Sequence, residues 1–147
     1  MRKRILLYTA LLAALASPLL SRTATADTPV TIRIGGRSLS AELNESAPAR
    51  ELARRLPVTV RMNRLRDREY YGDPIPGGLS EEGARQQSFE DGDLAYWLRG
   101  RSLALFFDKT RDPGLSSPVI VIGRVTAGLD ALRELGAVEE MTVERRQ

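Results

Sequence analysis

Apolar and polar residues alternate along much of this chain, and a period of two commits those stretches to half-buried strands. Val30, Ile32 and Ile34 alternate with Thr31 and Arg33. After Gly35-Gly36, Leu39, Ala41 and Leu43 alternate with Ser38, Ser40 and Glu42. Two alternating runs joined by a glycine pair predict a hairpin. A short helix follows. Ser46 is placed to cap it, Pro48 is tolerated in its first turn, and Ala49, Leu52, Ala53 and Leu56 form its apolar stripe. Pro57 ends it, and Val58, Val60 and Met62 resume the alternation.

The second half is denser. Gly92-Asp93 turns into an apolar run, Leu94 to Leu98, and Arg99-Gly100-Arg101 turns the chain back. In Ser102–Phe107, Leu103, Leu105 and Phe107 share one face, with Ala104 and Phe106 on the other. A strand apolar on both faces belongs in the middle of a sheet. Val119–Ile122 is another buried strand, Leu129, Leu132 and Leu135 predict a second short helix before Gly136, and Val138, Met141 and Val143 a last strand. Two polar segments interrupt the series. One is a long Gly- and Pro-rich excursion over 64–87, with a short strand near Leu65–Tyr70, and the other is a loop over Asp108–Ser117. About eight strands with two short helices predict a mainly β fold, a closed or nearly closed eight-stranded barrel.

The first 26 residues stand apart from this pattern. Arg2, Lys3 and Arg4 precede a mostly apolar run from Ile5 to Ala16, and Ala24-Thr25-Ala26 has the small-x-small form of a cleavage site. Residues 1–26 are expected to be a signal peptide cut after Ala26, and 27–147 the exported domain, periplasmic or secreted. Thr9, Ser17 and Pro18 break the run before it reaches the roughly 20 apolar residues of a spanning helix. No cysteine follows it to carry a lipid, so no membrane anchor is expected after cleavage.

Cleavage changes the charge. Arg2, Lys3, Arg4 and Arg22 leave with the peptide and no acid does, so 18 of 22 Lys and Arg face 19 Asp and Glu, a net −1 instead of +3. That balance gives no footprint for nucleic acid. The chain has no cysteine and no histidine. Thiol chemistry, the commonest general base and the commonest zinc ligand are therefore absent. Asp91, Asp93, Glu81 and Glu82 match no calcium-loop spacing, and Asp93 beside Gly92 is expected to bond local backbone as a turn-former. Neither a cofactor nor a metal is expected.

Two stretches carry a family resemblance. Val121-Ile122-Gly123-Arg124-Val125-Thr126-Ala127-Gly128-Leu129 is similar to the Val-Phe-Gly-x-Val-x-x-Gly-Met stretch that leads into the last helix of cyclophilins. Leu94-Ala95-Tyr96-Trp97 followed by Leu105-Phe106-Phe107 resembles their paired Leu-Ser-Met-Ala and Ser-Gln-Phe-Phe strands. Leu56-Pro57, the Gly92-Asp93-Leu94-Ala95-Tyr96-Trp97 strand and Gly123-Arg124 resemble a bacterial family of small cyclophilin-like proteins more closely, over about residues 29–145. The resemblance implies the cyclophilin barrel and brings prolyl isomerisation into question. It places the family's histidine near Val119 and its tryptophan near Gly114, where neither side chain is present. Arg61 corresponds to the isomerase arginine, but Thr59-Val60 replaces its Phe-His flank.

A fold does not fix a function, and with the ring-holding side chains missing the expectation is a non-catalytic module that binds a peptide or small molecule. The alternative is a periplasmic prolyl isomerase or folding helper of weak activity. The expected site is a groove flanked by the 64–87 excursion and the 108–117 loop, lined by Arg61, Tyr70, Tyr71, Trp97 and Phe107. Tyr96 and Trp97 are adjacent on a strand, so one of them must leave the barrel interior. Arg64, Arg66 and Arg68, spaced by two, are expected to form a solvated edge that discourages aggregation.

Overall fold

The structure, a computed structural model, describes residues 27–147. The expected signal peptide and its cleavage site lie outside the described residues. Nine strands are present among the described residues: β1 (Thr28–Ile34), β2 (Arg37–Leu43), β3 (Val58–Leu65), β4 (Glu69–Gly72), β5 (Gln86–Ser88), β6 (Asp93–Trp97), β7 (Ser102–Phe106), β8 (Gly114–Ala127) and β9 (Val138–Arg145). Helix α1 spans Ala47–Arg55, and its cap is the expected one, with Ser46 Oγ accepting from the Ala49 N–H. The second expected helix is a 3₁₀ segment, Leu129–Glu134, and another 3₁₀ turn covers Lys109–Arg111.

Every pairing is antiparallel. The order β2-β1-β9-β3-β4-β7-β6-β8 returns to β2 through a β2–β8 pairing, so eight strands close into a barrel and β5 hangs on β8 as a ninth. Closure removes the open edges that would otherwise invite aggregation. It runs through β8, where Val125 pairs with Ala41 and Val121 with Ala95. Gly123 sits at the tightest point, since a Cβ there would collide with the carbonyl oxygen of Glu42.

The alternation read from the sequence sets the core. Ile32, Leu39, Met62, Leu94, Leu103, Leu105, Ile122, Met141 and Val143 point inward and are essentially inaccessible, joined by Ala49 and Leu52 of α1. Each large aliphatic side chain so buried contributes about 1.5–3 kcal/mol. Tyr96 lies inside as well, its hydroxyl accepting from the Leu79 N–H at 3.0 Å. That bond pins the long excursion to the barrel.

The arginine ridge is not a solvated edge. Arg66 and Asp67 take positive φ, 53° and 51°, in a tight turn, so β3 ends at Leu65 and the three arginines no longer share a strand face. Arg66 is exposed. Arg64 instead reaches the end of the 3₁₀ segment and donates to the carbonyls of Leu132 (3.0 Å), Leu135 (2.9 Å) and Arg133 (3.1 Å), while its plane lies over Phe107. Cations satisfy such unpaired terminal carbonyls well, because the helix dipole is negative there. Tyr70 completes this corner from inside, donating to the Gly136 carbonyl at 2.6 Å. At the neighbouring corner the Thr110 hydroxyl and the Arg133 guanidinium hold the Asp108 carboxyl down to about 2.

Arg64→Ala is expected to lower unfolding free energy by about 2–3 kcal/mol, since three charge-assisted bonds to the part-buried and exposed carbonyls at the end of the 3₁₀ segment are lost. Arg66→Ala should stay within about 0.5 kcal/mol, as surface changes do. Urea denaturation of both variants checks the contrast.

Candidate functional site

Strands β4, β7 and β6 carry a second apolar cluster on the outer face of the barrel. Phe89, Ala95, Ala104, Phe106 and Val119 are buried there, with Trp97 and Leu115 packed against them. Cross-strand register explains the shape. Tyr71 pairs with Ala104, Ala104 with Ala95, and Glu69 with Phe106. Two facing alanines among large rings leave a low floor. The result is a groove of about 230 Å³, somewhat below the range of about 300 to 1,000 Å³ that sites for drug-sized ligands occupy.

Its far wall comes from β8. Gln86 of β5 pairs with Val119 but Ser88 pairs with Gly114, so residues 115–118 stand opposite the single Gln87 and bulge from the ladder. Pro118 has no N–H to offer that ladder. Bulges re-aim side chains, and this one aims Leu115, Ser116 and Ser117 at the groove. Ser117 Oγ accepts from Trp97 Nε1 at 2.8 Å. The Trp97 ring meets Tyr71 edge to face with centroids 5.8 Å apart. On its other side the ring lies so close to Gly100 that any Cβ there would run into it. The indole is therefore oriented from three directions.

A buried ion pair closes the end of the groove nearest the β3–β4 turn. Arg68 and Glu69 side chains are each 8% exposed, and Glu69 Oε1 accepts from both Nε (3.2 Å) and Nη2 (2.5 Å) of Arg68. Arg68 Nη1 donates to the carbonyls of Asp112 (2.9 Å) and Gly114 (3.2 Å), anchoring the start of β8. Its guanidinium also lies 5.5 Å from the centroid of the Phe89 ring. Glu69 and Arg68 are adjacent in sequence, yet both turn to the outer side where β4 begins.

The groove does lie between the 64–87 excursion and the 108–117 segment. Of the residues expected to line it, Tyr71 and Trp97 do. Tyr70 and Phe107 are fully buried inside the barrel, with ring centroids 5.9 Å apart, and face away from it. Arg61 is exposed and does not line it. It stands on β3 two residues from Asn63, the direct partner of Tyr71, and so belongs to the same outer face. Arg68, Glu69, Ala104, Leu115 and Val119 escaped the sequence reading. Strand parity was a usable signal, because Tyr70 and Tyr71 cannot share a face and Glu69 must share one with Tyr71. Asp93 is a turn-former as expected: its carboxylate accepts from the Glu90 N–H at 2.9 Å and from Arg124 at 3.0 Å. No cluster of candidate metal ligands occurs among the described residues.

With this barrel and groove in place, the chain is placed by comparison as well: it belongs to the cyclophilin-like family, whose model matches residues 32–144. It is similar to a hypothetical protein from Archaeoglobus fulgidus known from its solution structure. The two share 30% identity and a TM-score of 0.64, over 82% of this chain and 95% of the other. No curated protein matches the chain.

Arg68→Met alone should cost about 3–5 kcal/mol, because it strands a buried carboxylate. Adding Glu69→Leu should restore most of that loss, since the Asp112 and Gly114 carbonyls lie on exposed residues where water replaces Arg68. A double-mutant cycle in guanidinium chloride measures the coupling.

Proposed function

We propose that this chain is an exported, non-catalytic binding module holding a small molecule or short peptide segment in the groove outside its barrel. The observation that carries this reading is the outer apolar cluster. The barrel core is complete without it, yet Trp97, Tyr71, Phe106 and Leu115 border open space. Half-covered apolar surface with a few fixed polar groups is the composition of a ligand site.

Support for a non-catalytic role comes from the groove's chemistry. Val119 lines it where the resemblance places the isomerase histidine, and it offers no polar atom. Arg61 lines none of the groove. In a protease-coupled assay of the mature protein, proline isomerisation should not exceed the uncatalysed rate. Turnover abolished by Arg61→Ala would overturn the reading.

Trp97 is the single tryptophan, so one indole N–H resonance reports on the groove. Screening small aromatic fragments by that resonance should yield binders that Ala104→Leu, which raises the floor, weakens by at least about tenfold, or about 1.4 kcal/mol. The unfolding midpoint of the variant verifies that the barrel survives. Export is tested separately: expression of the full chain in a bacterium should give a periplasmic or secreted product beginning at Asp27.

A further inference from the structure

We propose that the groove selects an uncharged, flat, mainly apolar ligand carrying one hydrogen-bond donor, which it bonds through Glu69 Oε2. This rests on the binding reading above and adds the ligand's chemistry. The groove's well-buried polar groups have nearly exhausted their partners. Arg68 spends Nε and Nη2 on Glu69 Oε1, and Nη1 on the Asp112 and Gly114 carbonyls. Trp97 spends its one donor on Ser117. Glu69 Oε2 is different, for no donor among the described residues reaches it although its side chain is only 8% exposed. Among the described residues no fully buried side-chain nitrogen or oxygen lacks a partner, so Oε2 is not sealed off, and the open space that Glu69 lines is the groove. A carboxylate oxygen accepts and never donates. The ligand must therefore supply the hydrogen.

Charge narrows the choice. The Arg68–Glu69 pair is neutral as a unit, with both members buried. A cationic ligand would bond Oε2 but leave a net positive charge beside Arg68, and an anionic one would face the carboxylate directly. Uncompensated charge in an apolar site is costly in either sign. A neutral hydroxyl or N–H meets Oε2 without that penalty and gains a charge-assisted bond. The Trp97 and Tyr71 rings, Ala104 below and Leu115 opposite suit a single flat ring of small volume. A proline ring within a peptide has no N–H and does not fit the description.

The test uses four matched probes on the mature protein, read by the Trp97 indole resonance: p-cresol, its methyl ether, p-toluate and p-methylbenzylammonium. p-Cresol should bind with a dissociation constant on the order of 1 mM, a normal value for so few atoms. The ether and both ions should bind at least about tenfold more weakly. Glu69→Gln should narrow the gap between p-cresol and its ether, and Ala104→Leu should abolish binding of p-cresol. If the ether or an ion binds as well as p-cresol, and Ala104→Leu blocks them all, the groove is a ligand site but donor selection is overturned. If no probe moves the indole resonance, the binding reading fails along with it. Should Glu69→Gln not fold, the probe ranking on the unmodified protein still decides.

Discussion

One strand is too long for the barrel it closes, and the rest of the architecture follows from that excess. β8 runs for 14 residues. Its later part is squeezed between β2 and β6, where only glycine fits at 123, and it completes the ring of backbone hydrogen bonds. Register shifts at Ser40/Ala41 and Leu94/Ala95 bend it as it passes. Its earlier part has no place in the ring. It leaves the surface, takes β5 as a partner, and stands beside the outer cluster as a wall.

Two arginines hold the loose pieces to the ring. Arg64 gathers the carbonyls of residues 132, 133 and 135, and Arg68 gathers those of 112 and 114. Both do so with planar, multi-donor groups that a lysine cannot imitate. Their settings differ. Arg64 keeps a solvent-facing partner in Asp67, whereas Arg68 and Glu69 are both withdrawn from water. Removing one member of the second pair is therefore the more damaging change, though a fully apolar replacement of both is tolerable.

Much of the barrel was legible in the sequence because burial on one face of a strand writes a period of two. The opening hairpin, α1 with its Ser46 cap, the two-faced β7 and the opposition of Tyr96 and Trp97 all follow from that rule. The groove's position between two polar segments was legible too. Its lining was not. β5 is exposed throughout and β8 opens on Gly-Leu-Ser-Ser-Pro without alternation, so neither announces a strand. Arg64 and Arg68 owe their roles to carbonyls more than 40 residues away, contacts that leave no local pattern. Tyr70 and Phe107, expected to line the groove, instead face the core, where their rings pack together, an orientation that the β4 register fixes.

The wall made by β5 and the bulged start of β8 hangs outside a ring that is already closed without it. Insertions, deletions and exchanges in that appendage leave the load on the barrel unchanged, as surface loops generally allow. Sequence change is therefore tolerated most readily at the groove's outer wall, so the side of the barrel that is open to solvent can be reshaped while the ring itself keeps its fold.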